Sequence, residues 1–149
     1  MMNTSEIEKR FVESFVCKDR RERLLFELST QSKRYSGVSR FCHQSGELID
    51  KSKVRMQGEN LEFRPEFRSF VKEHDEQCYV MSPDYSVDRS CLFLKDAVDI
   101  VAMGTEAAVI VGSSFAVVFG EAVKGGREKY LLVDTVLCLC EDKTDRKTY

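Results

Sequence analysis

The chain has 149 residues, a hydrophobic share of 42%, an aromatic share of 10% and a formal net charge of −2. That length can bury a core without staples, and the composition excludes wholesale disorder. No stretch approaches the roughly 18 uninterrupted apolar residues of a spanning helix, so no membrane-embedded chain is expected.

The first half reads as helical. Ile7, Phe11 and Phe15 recur four apart with Val12 and Val16 alongside, and Thr4 or Ser5 stands where a cap belongs. Asp19 followed by Glu22 has the spacing of a capping box. The helix it would start turns Leu24, Leu25 and Leu28 inward and Arg20, Arg21 and Arg23 outward. A third helix is expected from about Ser32, with Tyr35, Val38, Phe41, Cys42 and Ser45 on its inner stripe. Asp50 to Asn60 is polar and ends in Gly58-Glu59-Asn60, which reads as a loop or linker. Pro65 suits the first turn of a further helix with Phe67, Phe70, Val71 and His74 on its inner stripe.

After Asp75 the period changes. Cys78 to Met81 is a short apolar run and reads as a strand. Leu94, Ala97, Val98, Val101 and Ala102 return to helical spacing, with Gly104 placed as a left-handed stop. Glu106 to Asp134 then holds three apolar stretches separated by Gly112-Ser113-Ser114 and Lys124-Gly125-Gly126-Arg127. Glycine there supplies positive φ to a reversing chain, so the run predicts a three-stranded antiparallel meander. Val136 to Cys140 adds a candidate strand, and residues 141–149 form a charged tail expected to fray. The expected class is α+β. It is one domain over 1–149, with N-terminal helices (1–75) packed on a C-terminal, mainly antiparallel sheet of about four or five strands within 76–140.

The six cysteines are scattered through apolar runs, and MMNTSEIEKRF carries acids early with no apolar signal segment. Reduced thiols and a cytoplasmic location follow as expectations. Cys42-His43 has the residue types of a nucleophile and its base. Neighbours on a helix diverge by about 100°, however, so the two side chains do not serve each other and Cys42 belongs to the core stripe. Ser36, Arg40, His43 and Glu47 recur at helical spacing on the opposite face and form a candidate ligand-binding stripe for an enzyme or small-ligand binder. His74, Cys78, Cys91 and the Cys138-x-Cys140 pair contain no CxxC or HExxH spacing, so no metal is expected. The glycines match no phosphate-binding motif, and no cofactor is expected. The acid pairs Asp84/Asp88 and Asp96/Asp99 have the residue types for hydrolysis, but Asp96 and Asp99, three apart, read as the solvated face of the Leu94–Met103 helix.

Charge divides unevenly. Residues 1–72 carry 15 basic against 11 acidic side chains, and residues 73–149 carry 8 against 14. Arg20, Arg21, Arg23, Arg34 and Arg40 therefore make a candidate face for an acidic protein partner. A nucleic-acid partner is the lesser alternative, because the aromatics Phe11, Phe15 and Phe26 sit at core spacing rather than among the bases. At the level of class alone, a small acidic α+β chain without catalytic motifs resembles bacterial accessory and immunity-type proteins. What that implies is a protein-interaction role.

Overall fold

The computed structural model describes residues 3–123 and 126–134. Among them the architecture is α+β, with six helices, most of them N-terminal, and a six-stranded antiparallel sheet. The first helix, α1 (Thr4–Phe15), is capped by Asn3 rather than Thr4 or Ser5. The Asn3 carboxamide oxygen accepts from the Glu6 N–H at 2.9 Å and satisfies one of the orphan donors at the helix start. Phe11, Val12, Phe15 and Val16 are buried as their spacing predicts.

The Asp19–Glu22 capping box does not form. Lys18–Arg20 instead makes a 3-10 turn, and the N–H groups of Arg20 and Arg21 are taken by the carbonyls of Cys17 and Lys18. The helix α2 (Arg21–Ser29) thus starts on backbone bonds, with no side-chain cap. Only Thr30 separates it from α3 (Gln31–His43). Gly37 lets these two helices close: a Cβ there would lie 2.9 Å from the Glu27 Cβ, inside van der Waals contact. That close packing offsets the cost, about 1 kcal/mol, of glycine within a helix. Gln44, at φ −111° and ψ 26°, interrupts the helix before the one-turn α4 (Ser45–Leu48).

The polar stretch expected as a loop holds an edge strand, β1 (Val54–Gln57), whose residues alternate between half-buried and exposed. The next helix, α5 (Pro65–Glu73), begins on proline as predicted and buries Phe67, Phe70 and Val71. His74 ends it and stacks on the Phe70 ring at 4.0 Å. Then follow β2 (Gln77–Met81), the unanticipated β3 (Cys91–Phe93), α6 (Leu94–Met103), β4 (Ala108–Val111), β5 (Phe115–Val123) and β6 (Gly126–Val133). Gly104 ends α6 in extended backbone, φ −83°, rather than in the left-handed region.

The meander of β4, β5 and β6 matches the expectation, with a correction to its turns. Among the described glycines only Gly58 has positive φ. Gly112 is needed for close approach instead, because a Cβ there would lie 2.3 Å from the tip of the Phe115 ring. At the second reversal Val123 pairs with Gly126 and Ala122 with Arg127, so Gly126 and Arg127 belong to β6. Residues 124 and 125 lie outside the described residues, as do the Val136–Cys140 segment and the 141–149 tail.

The strand order is β1-β6-β5-β4-β2-β3, antiparallel throughout and wider than the four or five strands expected. Helices cover both faces. Tyr79, Met81, Val109, Val111, Ala116 and Val118 pack with α1–α4. Val80, Ile110, Val117, Phe119 and Leu131 pack with α5 and α6. Strands buried on both sides read as unbroken apolar runs, which is why 107–111 and 115–119 show so little polar alternation. Each such side chain contributes about 1.5–3 kcal/mol of burial. Among the described residues no helix is long and apolar enough to cross a membrane.

Candidate functional site

The basic residues singled out in the sequence do not share one surface. Arg20 and Arg23 are exposed at the start of α2, with Arg23 3.6 Å from Glu27. Arg21 turns back to donate from Nε to the Val16 carbonyl at 2.9 Å. Arg40 is largely covered and paired with Glu27. Arg34 is 8% exposed and belongs to the interior, so it offers nothing to a partner's surface.

The Ser36, Arg40, His43, Glu47 stripe also separates. Glu47 lies on α4, beyond the break at Gln44, and Arg40 is drawn to Glu27. His43 Nδ1 lies 3.0 Å from the Glu121 carboxylate, and both side chains are more than half exposed. Cys42, next in sequence, is 2% exposed. Burial first, then the charges of Glu121 and Asp88, pushes its thiol up to about 12. A thiol so placed stays protonated at neutral pH and is no nucleophile. Among the described residues no group of three His, Cys, Asp or Glu side chains converges as a metal site.

What the fold does assemble is an ionic set around Arg34. Glu8 on α1 falls on the inner stripe of Phe11, Val12 and Phe15, and Arg34 falls likewise with Val38, Phe41 and Cys42 on α3. The helices bring these opposite charges together. Arg34 Nη2 donates to Glu8 Oε2 at 2.6 Å, and Nε donates to the same carboxylate at 3.2 and 3.3 Å. On its other side Nη1 and Nη2 donate to Asp88 Oδ2 and Oδ1 at 2.7 and 3.1 Å. The Tyr79 hydroxyl, from β2, donates to Glu8 Oε2 at 2.6 Å. Burial opposes the Arg34 charge, but the bonds to Asp88 and then Glu8 outweigh it and hold the guanidinium above its ordinary range. Burial, then the bond to Glu8, raises the Tyr79 phenol, so it remains a donor.

Asp88 carries this set into the β2–β3 loop, residues 82–90. Its Oδ1 also accepts from the Ser82 N–H at 3.0 Å. The Ser82 hydroxyl donates to the Ala107 carbonyl at 2.7 Å and accepts from the Asp84 N–H at 3.0 Å. Asp84 in turn accepts from the N–H and hydroxyl of Ser86, and the Ser86 hydroxyl draws its carboxyl below the usual range. Arg89 stands at φ 65°, left-handed backbone that a non-glycine residue holds only at a cost. Its N–H donates to the Val80 carbonyl.

The product is a loop fixed from within, with Tyr85 at its tip. Tyr85 is 83% exposed and stacks on Tyr35 of α3, ring centroids 6.0 Å apart and planes 20° from parallel. Tyr35, expected on the inner stripe, faces outward because Arg34 takes the inward position. The sequence reading missed Glu8, Tyr79, Asp88 and Tyr85. A signal for the first was present: an acid on one apolar stripe and a base on another, both at core spacing. Comparison with protein-family models, with curated proteins and with solved structures finds no match for this chain.

Proposed function

We propose that this chain is a protein-interaction domain whose contact face centres on Tyr35 and Tyr85. The observation that carries this reading is the exposed tyrosine stack, mounted on a loop held by a buried ionic set. Tyrosine supplies large contact area at low conformational-entropy cost, and interface hot spots are rich in it. A loop ordered before binding loses little further freedom on association. Ser32, Ser36 and Ser86 are exposed nearby in sequence, a mixture of adaptable hydroxyls and rigid rings suited to protein recognition. Arg20 and Arg23 supply exposed positive charge that favours encounter with an acidic partner. The small-ligand reading on Ser36, Arg40, His43 and Glu47 loses support, since Arg40 and His43 are engaged with separate acids. The nucleic-acid reading rests on the remaining exposed bases alone.

The test is photo-crosslinking from position 85. With p-benzoylphenylalanine in place of Tyr85, the full chain in its native cells should capture one discrete protein. Capture should fall sharply in a Tyr35→Ala background, where loss of a hot-spot ring costs about 2 kcal/mol of binding. The same crosslinker at exposed Glu13 should not capture that protein. Equal capture from both positions, or indifference to Tyr35→Ala, would remove the tyrosine face from the reading.

A further inference from the structure

The stack of Tyr35 on Tyr85 has a chemistry of its own besides contact. A phenol gives up a hydrogen atom to a one-electron oxidant, and two phenoxyl radicals that meet join through their ortho carbons. Such coupling needs two tyrosines that an oxidant can reach and that already touch. The chain has five tyrosines. Tyr79 and Tyr130 are buried, and Tyr149 lies outside the described residues. Tyr35 and Tyr85 remain, 53% and 83% exposed.

These two also touch. Their centroids, 6.0 Å apart, lie within the roughly 4.5–7 Å of rings in contact, with planes 20° from parallel. Among the described residues no other tyrosine ring meets a second tyrosine; the remaining ring pairs join phenylalanine and histidine. The two stand 50 residues apart in sequence, so the fold and not the local chain creates the pair. Tyr35 rides on α3 and Tyr85 on the 82–90 loop, and Asp88 of that loop bonds Arg34, the residue before Tyr35. With both backbones held, only side-chain torsions are left to bring the ortho carbons together. Fixing two reactants in this way turns a bimolecular coupling into an intramolecular one, with an effective concentration far above that of any protein solution.

We propose that Tyr35 and Tyr85 form an oxidative cross-linking site, joined as dityrosine by a peroxidase-type oxidant. Each phenol loses one electron and one proton. A C–C bond then forms between the two ortho carbons, and the hydrogens on those carbons move to the phenol oxygens as the rings regain aromaticity. One hydrogen peroxide takes up the two electrons and two protons and becomes two waters. The new bond ties α3 to the loop across the junction that the Arg34–Asp88 pair spans. It closes a long stretch of chain as a disulfide does, which restricts the unfolded state. The inference holds whether or not a partner covers this face.

The test treats the full chain, its accessible thiols first alkylated, with a haem peroxidase and hydrogen peroxide. The expected product is a monomer with dityrosine fluorescence, its fraction unchanged on dilution of the protein. Trypsin should release residues 35–40 joined to residues 73–89, lighter by two hydrogens than the separate peptides, and fragmentation should place the bond on Tyr85 rather than Tyr79. Tyr35→Phe and Tyr85→Phe each remove one exposed hydroxyl, and each should abolish this product. The cross-linked chain should unfold at higher urea than Tyr85→Phe treated in the same way. Dimers in place of the internal product, a bond mapped to Tyr79, Tyr130 or Tyr149, survival of the product in either variant, or no coupling at all would each overturn the proposal. A urea midpoint no higher than that of the treated variant would overturn the covalent tie between loop and helix.

Discussion

The two helical layers grip the same sheet by different chemistry. Under α1–α4 the apolar core is joined by an ionic set, with Glu8, Arg34 and Asp88 between 7% and 11% exposed and linked across three elements. Under α5 and α6 the linking contacts are aromatic: Phe70 meets Phe115 edge to face at 5.1 Å, and His74 closes on both rings. The second layer has a buried ion pair too, Lys129–Glu62, which joins β6 to the 3-10 turn Leu61–Phe63 through a single carboxylate. Apolar contact is tolerant of small displacements, whereas a guanidinium between two carboxylates is satisfied in one geometry. A buried ion set adds little net stability over an apolar replacement, so its use here is placement of the loop that carries Tyr85.

The largest expected effect tests that division directly. Arg34→Met strands two buried carboxylates and should lower unfolding free energy by about 3–5 kcal/mol in a urea titration. Glu8→Gln/Arg34→Met/Asp88→Asn, which removes the charges together, should recover much of the loss. It should also loosen the tyrosine stack, visible as sharper Tyr85 ring resonances. A triple variant as unstable as the single one would assign the ionic set a stabilising role and break the contrast.

On the aromatic layer the corresponding change is Gly112→Ala. Phe115 is fully buried against Phe70 and His74 and has no room to yield, so the added methyl group should cost about 1–3 kcal/mol. A near-neutral result in the same titration would mean that this layer is less closely packed than the ring contacts require.

Among the described residues each layer also buries one thiol, Cys42 in the first and Cys78 in the second. Burial, more than any neighbouring charge, pushes both thiols up to about 12. The folded chain therefore keeps these protons after the unfolded chain has released them. Stability from this source is complete below pH 9 and falls as pH rises from about 9 towards 12. Cys42→Ala and Cys78→Ala should each flatten the alkaline limb of the stability curve. At neutral pH iodoacetamide should label exposed Cys91 first and reach Cys42 and Cys78 only on unfolding, as peptide mass mapping would record. Early labelling of Cys42 alone would show that the ionic layer opens more readily.

The smallest effect is expected at the surface. Glu121→Gln removes the partner of His43, and with both side chains largely exposed it should shift stability by no more than about 0.5 kcal/mol. A larger change would make the joint between α3 and β5 a third point of attachment.

The contrast between layers also explains what was legible in the sequence. Apolar periodicity located α1, α5, α6 and the meander because packing against a sheet repeats along each element. β1 and β3 were hidden: edge strands of four and three residues bury too little to leave an apolar signature, and VRMQ reads as polar chain. The capping box failed because a 3-10 turn over Lys18–Arg20 leads into α2, which places Asp19 inside that turn and Arg20 at the cap position. Arg34 was read as surface charge because its partners stand 26 and 54 residues away, and no local pattern marks a pairing at that range. Tyr35 was then placed inward by default. Ser36, Arg40, His43 and Glu47 were legible as helical spacing, but the interruption at Gln44 puts Glu47 on a separate helix, which spacing alone does not reveal.

Those separations bear on the order of events as the chain folds. The α2–α3 hairpin and the β4–β5–β6 meander join near neighbours and carry small loop-closure penalties, whereas Asp88 meets Arg34 only after β2 has docked beneath the N-terminal helices. Loop-closure cost therefore leads us to expect the Asp88–Arg34 contact to form late, after the barrier that the chain crosses on its way to the native state. Mutations in it should accelerate unfolding far more than they slow folding, with a φ-value near zero in a chevron analysis of Asp88→Asn. The clasp that places Tyr85 then sets how long the folded molecule lasts rather than how quickly it forms.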